Sequence, residues 1–373
     1  MVTRLPRGAV GRWPRLMAPV MAAVALAAAC SGSGQAKAPN AASSPATASR
    51  LLPSSGAVSA SLSWSAPLLV DSFAGGLSAV SCASASFCAA VGATGPGRVG
   101  VAVMWNGRSW SRPVAIHHGE VSHVSCPTAV FCLAGTPDGT ALEWDGRSWS
   151  QTAERIRWPN PNDGITGVSC ASARFCVAPD EDGDMRVWNG ASWSVEFKES
   201  AHSISCPTSS FCMGVDFNGR AIRWNGRTFT PPQTIDRGED LAAVSCPSTA
   251  FCLALASGDT WLTWDGRRWS APQRIGTVSP EPPSSNSPIN RVSCPTTTLC
   301  VAVFSNATEI EWNGTSWTAP QSIDHHLANA VGDAAASRNG HPAIGLQSVS
   351  CPTSTFCVAV GTDGRVEIAR STG

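Results

Sequence analysis

The chain has 373 residues, 43% of them apolar and only 14% charged, which is enough to bury a sizeable core behind a neutral surface rich in small polar residues. Lys and Arg number 26, Asp and Glu 26, so there is no electrostatic footprint for nucleic acid or for an anionic bilayer. Nucleic acid is set aside as a partner, and a membrane is expected only through an anchor.

Residues 1–29 have the layout of a secretory signal. Arg4, Arg7, Arg12 and Arg15 precede the apolar run "MAPVMAAVALAAAC", which is too short to span a bilayer as a mature helix. Leu26-Ala27-Ala28-Ala29-Cys30 resembles the bacterial lipoprotein box, which implies a lipidated Cys30 as the new N-terminus, on the outer face of the cell membrane. Ala27-Ala28-Ala29 equally suits an ordinary signal peptidase, which would leave the chain extracellular. Residues 30–58 are rich in Ser, Ala and Pro with almost nothing to bury, and read as a flexible tether.

From residue 59 to 373 the chain is periodic. Setting Cys30 aside, the cysteines form seven C-x5-C pairs: Cys82/Cys88, Cys126/Cys132, Cys170/Cys176, Cys206/Cys212, Cys246/Cys252, Cys294/Cys300 and Cys351/Cys357. First cysteines are 44, 44, 36, 40, 48 and 57 residues apart, a period centred on that of a four-stranded propeller blade. Each unit reads V-S-C, a short Pro/Ser/Thr loop, F-C with apolar residues, a Gly/Asp/Asn turn, a few alternating residues to a Trp, then N/D-G-x-x-W. Short runs between turn residues, with no helical period, predict four strands per unit. The N/D-G dipeptides supply a hairpin turn, and Trp144 and Trp149 land on one sheet face, where they can fill the wedge between blades.

The repetition argues against reading the aromatics as a cage or the cysteines as metal ligands. A zinc site needs four convergent ligands, and each unit offers two, on a hairpin that brings them within disulfide reach. In an exported chain the disulfide is the default. With such short loops, the bridges are expected to fix loop geometry more than to create the fold. The seventh unit stops after its third strand, and its missing outer strand is "SLSWSAPLLV" at 61–70, which matches "RWSAPQRI" at 268–275. The expected fold is therefore all-β: a seven-bladed propeller closed by its N-terminal strand.

In its S-C-P-x-x-x-F-C and W-[ND]-G-x-x-W units, residues 61–373 resemble a group of exported actinobacterial repeat proteins, many of them lipoproteins and mostly without an assigned activity. The Trp hairpin is also loosely similar to the Asp-box of sialidase-type propellers, although Asp or Asn here adjoins the Gly directly. Leu299, Phe229 and Ala369 depart from the repeat pattern.

Disulfide loops and N/D-G turns share one face of such a disc, and the opposite face carries the variable blade-to-blade connections, where binding residues usually sit. Trp158, Asp163, His117, His118, Asp324, His325, His326 and His341 lie in those connections. His117 and His118 with Asp324, His325 and His326 are the weak candidates for a divalent metal, though solvated loop residues are the plainer reading. His123 and His202, just before first strands, face the axis or serve as structural histidines. A sialidase mechanism needs a tyrosine nucleophile, and the chain has none. Paired carboxylates for glycoside hydrolysis would come from Asp163, Glu239, Asp240, Glu281, Asp324 or Asp333, with no spacing that singles out two. No nucleophile elbow, phosphate loop or HExxH motif is present. The expectation is a monomeric binding or scaffolding module of the cell envelope, with a protein or glycan ligand and no cofactor. A carbohydrate-active hydrolase or lyase is the alternative, and a metal-dependent activity at the histidine loops the second.

Overall fold

The computed structural model describes residues 62–70, 76–94, 98–152, 163–194, 197–198, 201–257, 259–275, 289–323 and 345–371. They belong to the second of two compact units, Ala57–Gly373. Its secondary structure is strands throughout, in seven antiparallel sheets. The first strands are Leu77–Ser84, His123–Thr128, Ser169–Ser172, Ser203–Thr208, Leu241–Ser248, Ile289–Thr296 and Leu346–Thr353. Each packs beside the next, and the last packs beside the first. This is a seven-bladed β-propeller with the first strands lining its axis.

Closure follows the sequence expectation. Leu62, Ser63 and Trp64 pair with Ser371, Arg370 and Ala369, and Leu68 and Leu69 pair with Val366 and Arg365, so the N-terminal segment is the outer strand of the last blade. Trp64 lies opposite Ala369 as Trp110 lies opposite Trp105 in the first blade. The third blade departs from strict regularity: its sheet has three regular strands, and the fourth place is held by the isolated bridges Met185↔Phe197 and Trp188↔Trp193.

The core lies between blades, because each sheet must bury both faces. One cluster joins Ala79, Ala89 and Val91 of the first blade to Val124, Cys132 and Leu142 of the second. The closing seam is built alike, with Val80 and Val103 against Phe356, Val358 and Val366. Tryptophan fills the wedge as expected, Trp312 packing on Leu253 and Trp261 of the preceding blade.

All seven cysteine pairs are disulfides within their own hairpins: Cys82–Cys88, Cys126–Cys132, Cys170–Cys176, Cys206–Cys212, Cys246–Cys252, Cys294–Cys300 and Cys351–Cys357. Both members of each pair are buried, the second more completely than the first. The second cysteines, Cys88, Cys132, Cys176, Cys212, Cys252, Cys300 and Cys357, are wholly buried in the cores between blades. Six of them stand opposite the third-strand tryptophan: Cys88 opposite Trp105, Cys132 opposite Trp144, Cys176 opposite Trp188, Cys212 opposite Trp224, Cys252 opposite Trp264 and Cys300 opposite Trp312. Cys357 stands opposite Ala369, the residue that replaces that tryptophan in the last blade. Each bridge as a whole lies in the core between neighbouring blades, both cysteines of a pair belonging to one cluster, so the bridges fasten the loops to that core as well as setting loop geometry.

The short disulfide loops turn at the end of the blade, where the indole N–H of each third-strand tryptophan donates to a loop carbonyl: Trp105 to Ala85 at 3.0 Å, Trp144 to Ala129 at 3.1 Å, Trp188 to Ala173 at 3.3 Å, Trp224 to Ser209 at 3.0 Å, Trp264 to Thr249 at 3.3 Å and Trp312 to Thr297 at 3.2 Å. The N/D-G turn has four residues, so its two aromatics stand directly opposite one another, with Trp105 and Trp110 ring centroids 5.6 Å apart. Asn106 Oδ1 accepts from the amides of Arg108 and Ser109, and Gly107 takes the positive φ of 90° that closes the turn.

The serine of V-S-C has a role that spacing alone does not reveal. The inner edge of each first strand faces the axis and has no ladder partner there. In every blade the amide of the first cysteine, on that edge, donates to the serine hydroxyl of the preceding blade: Cys126 to Ser81 at 2.9 Å, Cys170 to Ser125 at 2.9 Å, Cys206 to Ser169 at 2.9 Å, Cys246 to Ser205 at 3.0 Å, Cys294 to Ser245 at 3.0 Å, Cys351 to Ser293 at 2.9 Å and Cys82 to Ser350 at 2.9 Å. Seven hydrogen bonds thus run once around the axis. Each satisfies an amide that would otherwise be orphaned in a narrow channel, at a net gain of about 1 kcal/mol.

Candidate functional site: the connection face and the axial channel

Second-to-third turns and blade-to-blade connections share the face opposite the disulfides. Where it is described, one of its charged pairs ties neighbouring blades together, while others, such as Arg220 with Asp216 and Arg365 with Asp363, stay within one turn. His117, at the end of the first blade, places Nε2 3.1 Å from Oδ2 of Asp138 in the second-to-third turn of the next blade. Burial pushes the Asp138 pKa up, but hydrogen bonds with Thr136, Thr140 and His117 outweigh it and hold the carboxyl down at about 2. In the preceding turn Arg98 pairs with Glu120, which also accepts from the Ser78 hydroxyl at 3.1 Å. His117 is therefore engaged by a carboxylate, whereas His118 has no such partner among the described residues.

Asp163 is buried, 4% exposed, at the entry to the third blade, beside Ile165, which bridges Asp180. Asp180 is wholly buried, and its Oδ1 accepts from the Asp184 amide at 2.8 Å, capping the turn. Burial, with Asp184, Asp163 and Asp182 nearby, pushes its pKa up to about 6. This turn position recurs as Asp216, whose Oδ1 accepts from the amides of Asn218 and Arg220, and as Thr136. Asp180 is accounted for as a cap. Among the glycosidase candidates, Asp163 lies between the second and third blades and Glu239 and Asp240 between the fourth and fifth, so the fold does not bring them together. Among the described residues no three His, Cys, Asp or Glu side chains converge on a point that could hold a metal. The fourteen bridged cysteines, Cys88, Cys176, Cys212, Cys252, Cys300 and Cys357 among them, line none of the described cavities and carry structure only. Cys30, Trp158, Glu281, Asp324, His325, His326, Asp333 and His341 lie outside the described residues.

The axis holds a cavity of about 270 Å³ lined by first-strand residues, among them His123, His202, Ser203, Ser245, Arg291 and Ser348. His123 and His202 thus reach the channel that their sequence positions suggested. Burial, reinforced by the Arg291 guanidinium, pushes His123 down to about 3 against a hydrogen bond with the Ile165 backbone. His202 is also lowered by burial and stacks on Phe217 with ring centroids 4.0 Å apart. Both imidazoles are neutral at physiological pH. At the opposite edge, where the closing strand covers the sixth blade, burial together with Glu311 pushes Glu309 up to about 8, with the Trp64 indole offsetting part of that.

The chain is similar to a solved structure described as YCF48 bound to D1 peptide, with a TM-score of 0.59 over 83% of this chain and 95% of that one, at 12% identity. It shares the β-propeller fold. At that identity nothing beyond the fold carries over, and with 1162 solved chains matching, the scaffold selects no single activity. No protein-family model and no curated protein matches the sequence. Seven disulfides mark a chain that folds in an oxidising compartment, and among the described residues no helix is long and apolar enough to cross a membrane.

Sequence reading found the cysteine pairs, the tryptophan pairs and the closing strand. It missed the turn caps Asp180 and Asp216 and the axial serine ring, although the serine stands before the first cysteine of all seven units.

Proposed function

We propose that the protein is a lipid-anchored module of the cell envelope, held at the outer face through Cys30 and the 30–58 tether, whose propeller binds a protein or glycan ligand on its connection face without catalysis. The contrast between the two faces of the disc supports this reading. One face repeats the same disulfide loop, indole bond and four-residue turn, which suits a scaffold. The other differs from blade to blade and carries the longest connections, at 152–167, 276–290 and 324–347. A protein ligand would parallel the structural neighbour, which is solved with a bound peptide, though the shared fold does not choose between protein and glycan.

The test has two parts. Cys30→Ser is expected to move the protein from the membrane fraction into the medium; unchanged membrane association would remove the anchor from the proposal. Residues 59–373 are then screened against cell-wall glycans and envelope extracts, and the three connections trimmed to the length of 196–203. Binding should be abolished with the melting temperature shifted by only a few degrees. Full binding by the trimmed ring would place the ligand elsewhere.

A further inference from the structure

The fourth strands form the rim of the ring. In the fourth, fifth and sixth blades their exposed positions are polar: Gln233-Thr234, Gln273-Arg274 and Gln321-Ser322. The two blades that meet where the ring closes differ. Leu68 and Leu69 occupy those places in the last blade, and Val114 and Ala115 in the first. Leu68 is 52%, Leu69 49% and Val114 55% exposed. Single exposed apolar residues are ordinary, but Leu68 and Leu69 adjoin each other and both open onto one groove, whereas Val114, opposite Ala102, lies on the side of the second blade.

Between Leu68–Leu69 and the tryptophan hairpin of the first blade runs a groove of about 760 Å³, lined by Leu68, Leu69, Trp110 and Ile368 and by the guanidinium-bearing Arg108 and Arg112. Arg112 also breaks the repeat, since none of the equivalent residues, Ala66, Gln151, Val195, Pro231, Ala271 and Ala319, carries a charge. Neither arginine belongs to an ion pair among the described residues, and no described carboxylate lines the groove. Among the described residues the groove therefore offers an apolar floor and two arginines with no carboxylate beside them. Leu68–Leu69, the fourth strand that borders it, pairs among the described strands only with Arg365–Ser371 and so has one free edge.

We propose that this groove is a docking site for an extended acidic-apolar segment of a partner protein. Large apolar side chains of the segment pack on Trp110, Leu68 and Leu69. Its Asp or Glu side chains pair with Arg112 and Arg108, which present a planar fork matched to a carboxylate. The free edge of Leu68–Leu69 supplies main-chain hydrogen bonds to an added strand. A concave site between two blades accepts an inserted chain, whereas a flat bilayer calls for protruding side chains. The site is on the rim, separate from the connection face, and holds independently of the ligand proposed there.

The test is selection of a random seven-residue peptide library on the purified protein. Enriched peptides are expected to carry Asp or Glu within two residues of a large apolar side chain. They should lose about tenfold or more in affinity on Arg112→Ala, and again on the double variant Leu68→Gln, Leu69→Thr. Gln and Thr are the residues the fourth blade carries at those exposed places, so the double variant should melt as the parent does. Binding should survive trimming of the three long connections, which separates this site from the connection face. Enrichment without acids, undiminished affinity for the variants, or no enrichment would overturn the proposal. So would binding of phosphatidylglycerol vesicles that depends on the same residues while no peptide competes, which would assign the groove to lipid.

Discussion

The two faces of the disc are made by the same chain passing back and forth, yet their chemistry is organised in opposite ways. On the disulfide side the bonds are periodic: a cysteine pair closes each hairpin, an indole N–H holds its loop, and a serine of one blade caps the first strand of the next. On the connection side they are individual: His117 with Asp138, Arg98 with Glu120, Arg220 with Asp216, Asp180 capping its own turn. A residue required at the same place in every blade cannot easily be diverted to another task. Structural work is thereby concentrated on one face and along the axis, and the other face is released to vary.

The severest test of that division is to open the ring. Deleting residues up to 70 removes the strand that pairs with Arg365–Ser371 and uncovers the core shared by Leu62, Ile323 and Ala369. We expect loss of cooperative folding or a fall in melting temperature of tens of degrees, since removing a whole strand exposes apolar area on two blades at about 25 cal/mol per Å². Deleting 31–58 should leave the thermal transition where it was. Equal melting temperatures for the two truncations would show that the ring does not depend on its closing strand.

A smaller effect is expected at the axis. Ser125→Ala leaves the Cys170 amide, on a buried residue, without the hydroxyl that accepts from it at 2.9 Å. The expected loss is about 1–3 kcal/mol in denaturant unfolding, the range for an unsatisfied buried donor. Ser125→Thr keeps the acceptor and should recover part of it. A loss under about 0.3 kcal/mol for the alanine variant would mean that water replaces the hydroxyl, and that the sevenfold ring of bonds is incidental to stability.

Why the axial serines escaped a reading that found the disulfides is instructive. Cys126 and Cys132 announce their relation within one hairpin, because pairing inside a unit depends only on local spacing. That spacing does not say that Cys132, like Cys88 and Cys176, is sunk between two blades, which is a consequence of how sheets stack. Ser125 acts on Cys170 in the next unit, and which side chain meets which amide is likewise decided by the stacking of blades. Trp144 and Trp149 lie between these cases: their shared face follows from strand alternation, while the bond from Trp144 to the Ala129 carbonyl needs the hairpin loop to fold back over the third strand. The fold was therefore legible almost entirely, down to the strand that closes it. For the connection face, the sequence marked His117 as a solvated or metal-binding residue. The structure gives it a partner 21 residues away, in a turn whose approach only the ring geometry determines. The rim exceptions Leu68, Leu69 and Arg112 are visible in the aligned repeats, but only the ring makes the last blade and the first into neighbours.

The least disruptive change should be His117→Ala, and its smallness is what the contrast between faces requires. The Asp138 side chain is 59% exposed, so the pair is screened by water and contributes at most a few tenths of a kcal/mol near neutral pH. Asp138 has other support, since the Thr136 hydroxyl and the Thr140 amide bond the same carboxyl. Because its folded pKa is lowered, to about 2 from 3.8, the stabilisation it provides is present above pH 3.8 and is lost as pH falls toward 2. Removing His117 should raise the Asp138 pKa only part of the way back to its ordinary value, leaving stability at pH 7 within about 0.5 kcal/mol of the parent. An NMR titration of the Asp138 carboxyl and denaturant unfolding at about pH 7 and about pH 3 read both quantities. A loss near neutral pH as large as that of Ser125→Ala would mean that the connection face is as structurally committed as the axis, and the reason for seeking a ligand there would be gone.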